Sequence, residues 1–220
     1  MSVPSFLLFG LLVSFTCWLS PKAHAHPHAW IDLRVQVLFN QEKQIVGLRQ
    51  AWQLDPMYSL MVLEDMQAHA SEQASLDAQL DTFGAQMIQN LAAYQYFSVI
   101  YVQGQRINTR PVQDFSIRHV NGRVELMFEL LLDQASDFSS GLEYRIYDPT
   151  YYIEMLHTEE APALSLQNPP IDCQTNIISA NPTQEEIDRA AALDRTQEAP
   201  DNLGVIFAET AVIRCPTTNN

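Results

Sequence analysis

Residues 30–54 read "WIDLRVQVLFNQEKQIVGLRQAWQL", and their reading decides the fold. Apolar and polar side chains alternate through Trp30–Phe39, a polar run follows at 40–44, and alternation resumes through Ile45–Leu54. A period of two puts one face of each segment inward and the other outward, so the stretch predicts a two-stranded hairpin with a half-buried face.

Outward from the hairpin the period changes. In "DPMYSLMVLEDMQAHASEQASLDAQLDTFGAQMIQNLAAY" (55–94), apolar residues recur at helical spacing: Met57, Leu60, Met61 and Leu63, then Leu76, Leu80, Phe83, Met87, Ile88 and Leu91. Two helices are predicted, the first with Asp55 as its cap and Pro56 in its first turn, where the missing N–H costs nothing. Strand patterns return after Tyr94, with a turn at Gly104 and an Asn121-Gly122 hairpin signal between "FSIRHV" and "RVELMFELLL". "GLEYRIYDPTYYIEMLH" reads as a strand, a turn at Asp148-Pro149 and another strand. The tail predicts a strand near Thr175–Ser179, a short helix boxed by Thr183 and Glu186, a helical turn and a last strand ending at Cys215. The class is α+β: an antiparallel, β-rich single domain with a two-helix insertion and a small C-terminal helix. Strands and helices do not alternate, which excludes a doubly wound sheet and a two-lobed solute-binding architecture.

The chain has 220 residues, 47% hydrophobic and 17% charged, as one ordinary globular domain does. Its first residues stand apart. "FLLFGLLVSFTCWLS" (6–20) is uncharged and apolar, Pro21 ends it, and Ala23-His24-Ala25 places small residues at both cleavage positions, so 1–25 is expected to be a signal peptide and 26–220 the mature domain. An uncleaved anchor is the alternative, although the run is short for a span of about 20 residues.

Cleavage removes Cys17 and leaves Cys173 and Cys215, which in an oxidising compartment are expected to pair. It also removes Lys22, taking the net charge from −14 to −15. So acidic a chain disfavours nucleic acid and anionic lipid and concentrates cations near its surface. The expected location is the periplasm, with no membrane span once the leader is gone.

Three of the six histidines crowd into "AHAHPHAWID" (23–32). Processing after Ala25 would expose the α-amine of His26 beside its own imidazole, with His28 on the same face of an extended chain about 6.6 Å away. Neutral imidazole suits zinc, copper, nickel or cobalt. Pro27 has no N–H, so a clamp of successive backbone amides is closed, and chelation through the amine and ring of His26 with His28 remains. Asp148 and His157 are the candidates to complete the site. Asp65 and His69, four apart on a helix, and His119 are weaker ones. The plainer reading is a polar lead-in to the first strand, since two ligands lack the specificity of a four-ligand pattern. Enzyme signatures are missing: no nucleophile elbow, phosphate loop or paired-histidine metalloprotease helix occurs. A copper enzyme with an N-terminal histidine would need a further histidine, for which His157 is the candidate.

"HPHAWID" after the cleavage site, "AWQLDPMYS", "NLAAYQYF", "YDPTYYI" and the two late cysteines together resemble the bacterial domain-of-unknown-function family 1007 along the whole mature chain. His26, His28, Trp30 and Asp32 match its opening motif, and Tyr147, Asp148, Pro149, Thr150 and Tyr151 its later one. Members are often labelled the periplasmic component of an ABC-type transport system and lie beside nickel/cobalt permeases or in zinc-responsive gene sets. The resemblance implies metal handling with an inner-membrane metal permease or ABC-type transporter as partner. Some relatives carry a calcium-loop-like segment between the helices. Here "AHASEQASLDAQLD" (68–81) lacks the glycine and alternating carboxylates such a loop needs. The expected function is a periplasmic accessory protein binding a divalent metal near its new amino terminus. A metal-free module docking on the permease is the alternative.

Overall fold

Strand β1 (Ala29–Phe39) pairs antiparallel with β2 (Ile45–Leu54), Ile31 opposite Leu54 and Phe39 opposite Ile45. Asn40 closes the turn, its Oδ1 accepting from the Gln44 N–H at 2.8 Å. As the alternation requires, Ile31, Leu33, Val35 and Val37 are buried, while Trp30 on the other face is exposed. The computed structural model describes residues 27–68, 75–137, 141–160, 162–193, 200 and 202–216. The expected leader, His26 and His69 lie outside them.

β2 is flanked on its far side by β6 (Arg123–Ser136), which turns back onto β5 (Phe115–Val120). That turn is Asn121-Gly122, with φ of 51° and 79°, the mirror-image conformation that matches strand twist. Beyond β1, strands β8 (Ile153–His157) and β9 (Leu164–Gln167) run parallel to it, so this sheet is mixed where full antiparallel pairing was expected. Its order is β5-β6-β2-β1-β8, with β9 also on β1. A second sheet has the order β10-β11-β7-β3-β4, built from β3 (Ser98–Val102), β4 (Gln105–Ile107), β7 (Leu142–Ile146), β10 (Gln174–Ile178) and β11 (Thr210–Arg214).

Between β2 and β3 lie the two expected helices, α1 (Pro56–Ala68) and α2 (Leu76–Ala92). Gly84 lets α2 approach the sheet, because a Cβ there would meet the Phe115 ring at 2.7 Å and Ile117 at 2.9 Å. The tail forms α3 (Gln184–Ala192), with the predicted Thr183/Glu186 capping box, and α4 (Leu203–Phe207). The class is α+β, as expected. Among the described residues no helix is long and apolar enough to cross a membrane.

Both sheets face one core, where Leu33, Leu48, Trp52 and Leu126 meet Ile100, Leu142, Tyr144 and Ile213. Burying such side chains stabilises by about 2 kcal/mol each, which is the main force holding the sheets together. One polar chain crosses the core: the Trp52 indole donates to Gln50 Oε1 at 2.9 Å, Gln50 Nε2 to Ser98 Oγ at 3.0 Å, and Ser98 Oγ to the Tyr96 carbonyl at 2.8 Å. Each buried polar atom in it has a partner, so its hydrogen bonds offset the cost of desolvation and link β2 of one sheet to β3 of the other.

The expected disulfide joins Cys173 to Cys215 across a separation of 42 residues. β11 is interior to its sheet, between β10 and β7, so the strand that the bond secures is the exposed edge strand β10. Closing a loop of this length stabilises by about 4 kcal/mol in the chain-entropy account.

Candidate functional site

The start of β1 is held by two other stretches of sequence. His28 donates its backbone N–H to the Tyr152 carbonyl at 2.9 Å, and the two rings lie 4.6 Å apart. Asp55 grips both neighbours: Oδ2 accepts from the Trp30 N–H at 3.2 Å, Oδ1 accepts from the Tyr58 N–H at 2.9 Å, and its own N–H donates to the Trp30 carbonyl at 2.9 Å. Asp55 therefore caps α1 and anchors β1 with one carboxylate. Glu154 accepts from the Trp30 indole at 2.9 Å through Oε2 and from the Tyr151 hydroxyl at 2.9 Å through Oε1. Burial, and then the Glu154 charge, push the Tyr151 phenol well above its usual range, so it stays protonated and donates to Glu154. Thus "PHAWID", "LDPMYS" and "YDPTYYIE" converge on one end of the molecule.

Asp148 belongs to the same end, in a structural role. It is buried, and its carboxylate accepts from the Thr150 N–H at 2.9 Å, from the Thr150 hydroxyl at 2.8 and 2.9 Å, and from the Ile153 N–H at 3.0 Å. Three protein donors, two amides and one hydroxyl shared between both oxygens, already bond this carboxylate, as in other aspartate-stabilised turns. Helix α4 seals the turn from above, and Gly204 is required there, because a Cβ would fall 1.8 Å from the Asp148 carbonyl oxygen.

His157 lies elsewhere. It pairs with Leu33 on β1, five residues along from His28, which is about 16 Å of strand and too far for one ion to bridge. Both of its ring nitrogens are engaged inside the protein: Nε2 lies 2.9 Å from the Tyr144 hydroxyl and Nδ1 2.8 Å from Glu209 Oε2, which also accepts the His157 backbone N–H at 2.7 Å. Of the four expected ligands, His28 and Asp148 attach to one turn, His157 does not join them, and His26 lies outside the described residues. His119 is an exposed residue of β5 paired with Val124, and Asp65 lies on α1. Among the described residues no group of three or more histidines, cysteines or carboxylates is arranged to hold a metal.

Two features escaped the sequence reading. The first is the Tyr144–His157–Glu209 bridge, which ties β8 of one sheet to β7 and the entry to β11 of the other. Burial, and then Glu209, raise the Tyr144 phenol well above its usual range. Burial would raise the Glu209 carboxyl too, yet hydrogen bonds from the ring and backbone of His157, with the charge of that ring, hold it below its ordinary value. The second is a left-handed turn over Gln95, Tyr96 and Phe97, with φ of 52°, 53° and 53°. Each costs about 1–2 kcal/mol in a non-glycine residue. The offset is packing: Tyr96 is buried with its hydroxyl accepting the Val112 N–H at 2.9 Å, and Phe97 stacks on Trp52. A cavity of about 280 Å³ opens beside this turn, lined by Tyr94, Phe97, Tyr101, Arg106, Tyr147 and Asn202. "NLAAYQYF" marks the spot in the sequence, although nothing in it signals positive φ.

The model of a family described as a protein of unknown function, DUF1007, matches residues 11–215, so the match takes in every strand and helix described above. The chain belongs to the DUF1007 family. A relative from Haemophilus influenzae, described as an uncharacterized protein, is 28% identical over 213 residues and covers 95% of this chain and 97% of its own length. This DUF1007 chain thus has a full-length counterpart of the same size. Among solved structures, the AChBP from Bulinus truncatus aligns over 95% of the chain and 96% of its own length, at 8% identity and a TM-score of 0.32. A likeness that distant carries no argument about DUF1007.

Proposed function

We propose that the protein is an exported accessory component of a transition-metal transport system, which takes up a divalent cation at its processed amino terminus and works with an inner-membrane permease or ABC-type transporter. The cation is cargo. Its ligands are the α-amine and imidazole of His26 and the imidazole of His28. The observation that carries this reading is the anchoring of His28. Its backbone is bonded to Tyr152, its ring rests on that tyrosine, and β1 is locked by Asp55 immediately behind it. A terminus held in this way loses less chain entropy on closing over an ion than a free one does. The acidic surface supports the reading by raising the local cation concentration. Zinc, nickel, cobalt and copper all suit such a nitrogen donor set.

Asp148 and His157 support the terminus from a distance, Asp148 by shaping the turn that carries Tyr152 and His157 by holding the sheets. The test is cellular. In a strain lacking this chain, wild type and His26→Ala/His28→Ala are restored, the mature amino terminus is confirmed by intact mass, and cell metal content is measured. The wild type should restore the parental metal content and the double variant should not. Equal restoration by both, at equal protein level, contradicts the proposal.

A further inference from the structure

The outer face of the second sheet carries a cleft made of two adjoining cavities, of about 280 and 320 Å³, which share Val99, Tyr101 and Tyr147 in their linings. The strands bring these groups together by register. On β3 and β7, Val99 pairs with Arg145 and Tyr101 with Glu143, and on the other side of β3 Tyr101 pairs with Arg106 of β4. Tyr94 and Phe97, at the left-handed turn, line the first cavity with Asn202, and Val205 of α4 lines the second.

Polar groups in this lining are left without protein partners. Arg34, Arg49, Arg118, Arg123 and Arg189 each pair with a carboxylate, as expected in a chain with 26 acids to 12 bases. Arg145 does not. It is half-buried, and among the described residues its guanidinium makes no hydrogen bond or ion pair. Arg106 reaches no carboxylate either: its Nη2 donates to Gln95 Oε1 at 2.8 Å, which ties β4 to the strained turn. The half-buried Tyr101 and Tyr147 hydroxyls make no hydrogen bond among the described residues, and the Asn202 side chain does not cap its own helix. Half-buried donors in this state forgo bonds that a ligand can supply.

Charge and shape define the ligand. The charged side chains of the cleft are Arg106, Arg145 and Glu143, and two arginines against one glutamate leave one positive charge. An arginine fork matches a carboxylate through two parallel bonds, and tyrosine rings receive a flat body by stacking or edge contact. Cavities of this size admit a small molecule. We propose that this cleft binds a small aromatic monocarboxylate, its carboxylate on the Arg145 guanidinium and its ring against Tyr101 and Tyr147. The site goes beyond the metal-handling role proposed above and uses neither terminal histidine.

The full chain is titrated by calorimetry with naphthoate, with its cationic counterpart naphthylmethylamine, and with acetate, which has the carboxylate and no ring. Naphthoate should saturate one site with a Kd below about 1 mM, and the other two should bind at least about tenfold more weakly. Arg145→Gln removes a charge that has no partner among the described residues, so it should keep the native circular dichroism and weaken naphthoate about tenfold or more. Arg106→Gln, at an exposed position, should weaken it severalfold, and Tyr101→Leu should weaken it as well. His26→Ala/His28→Ala and Leu60→Ser/Met61→Ser should leave it unchanged. Absence of saturable naphthoate binding overturns the inference, as does equal binding by Arg145→Gln. Naphthylmethylamine binding as tightly as naphthoate would mean that the ring adheres without recognition of its charge, and overturns it too. So does loss in Leu60→Ser/Met61→Ser, which would mean adhesion to the exposed apolar residues of α1.

Discussion

His28 stands at the entry to β1 and His157 on the neighbouring strand β8, and their surroundings have little in common. His157 has both ring nitrogens engaged and its side chain is 4% exposed, whereas His28 stands at the entry to β1, its backbone bonded to Tyr152 and its ring against that tyrosine. The difference teaches that a histidine's task is set by where its contacts hold it. In the interior the imidazole is a two-sided joint between sheets, and at the edge it is positioned through its backbone and its ring face. Asp148 falls on the interior side of this contrast, since it is buried and three protein donors bond its carboxylate.

The largest effect that would break the contrast is in stability. His157→Ala leaves the Tyr144 hydroxyl and the Glu209 carboxylate short of a partner inside the protein, and unfolding in urea should show a loss of about 3 kcal/mol. A loss under about 1 kcal/mol would mean the bridge holds nothing. Asp148→Ala frees the Thr150 and Ile153 amides and loosens the turn under α4, at a cost of about 2 kcal/mol by the same measurement.

A pH series sharpens the comparison further. Glu209 has its carboxyl lowered by His157, so its contribution is fully present above the ordinary carboxylate value of 4.5 and is lost as pH falls through the lowered folded-state value. Glu209→Gln should therefore be less stable than wild type at neutral pH, and the gap should close on acidification below that value. A gap that widened in acid would reverse the assignment. The smallest effect is expected at the entry to β1. His28→Ala should change stability by under about 1 kcal/mol, because the bond from its backbone to Tyr152 survives the substitution.

Much of the fold was legible because its signals are local. Alternation gave β1 and β2, Asp55-Pro56 started α1, Asn121-Gly122 closed the β5–β6 hairpin, and Thr183 with Glu186 boxed α3. The parallel placement of β8 and β9 on β1 was not legible, since a strand's pattern states which face is buried and not which neighbour it takes. The left-handed turn at Gln95–Phe97 had no glycine or asparagine to announce it, and only the packing of Tyr96 and Phe97 makes it tolerable. Glu209 was invisible as the partner of His157 because 52 residues separate them. The four expected ligands were chosen for their chemistry and order in the sequence, and two of them proved to be held by contacts that only the tertiary structure supplies.

The most direct test is a zinc titration, by calorimetry, of chain beginning at His26. Wild type is compared with His26→Ala/His28→Ala and with Asp148→Asn/His157→Gln, each checked for native circular dichroism. The account predicts that zinc binding disappears in the terminal variant and persists in the interior one. Binding retained without the two terminal histidines, or lost in a folded interior variant, would contradict it.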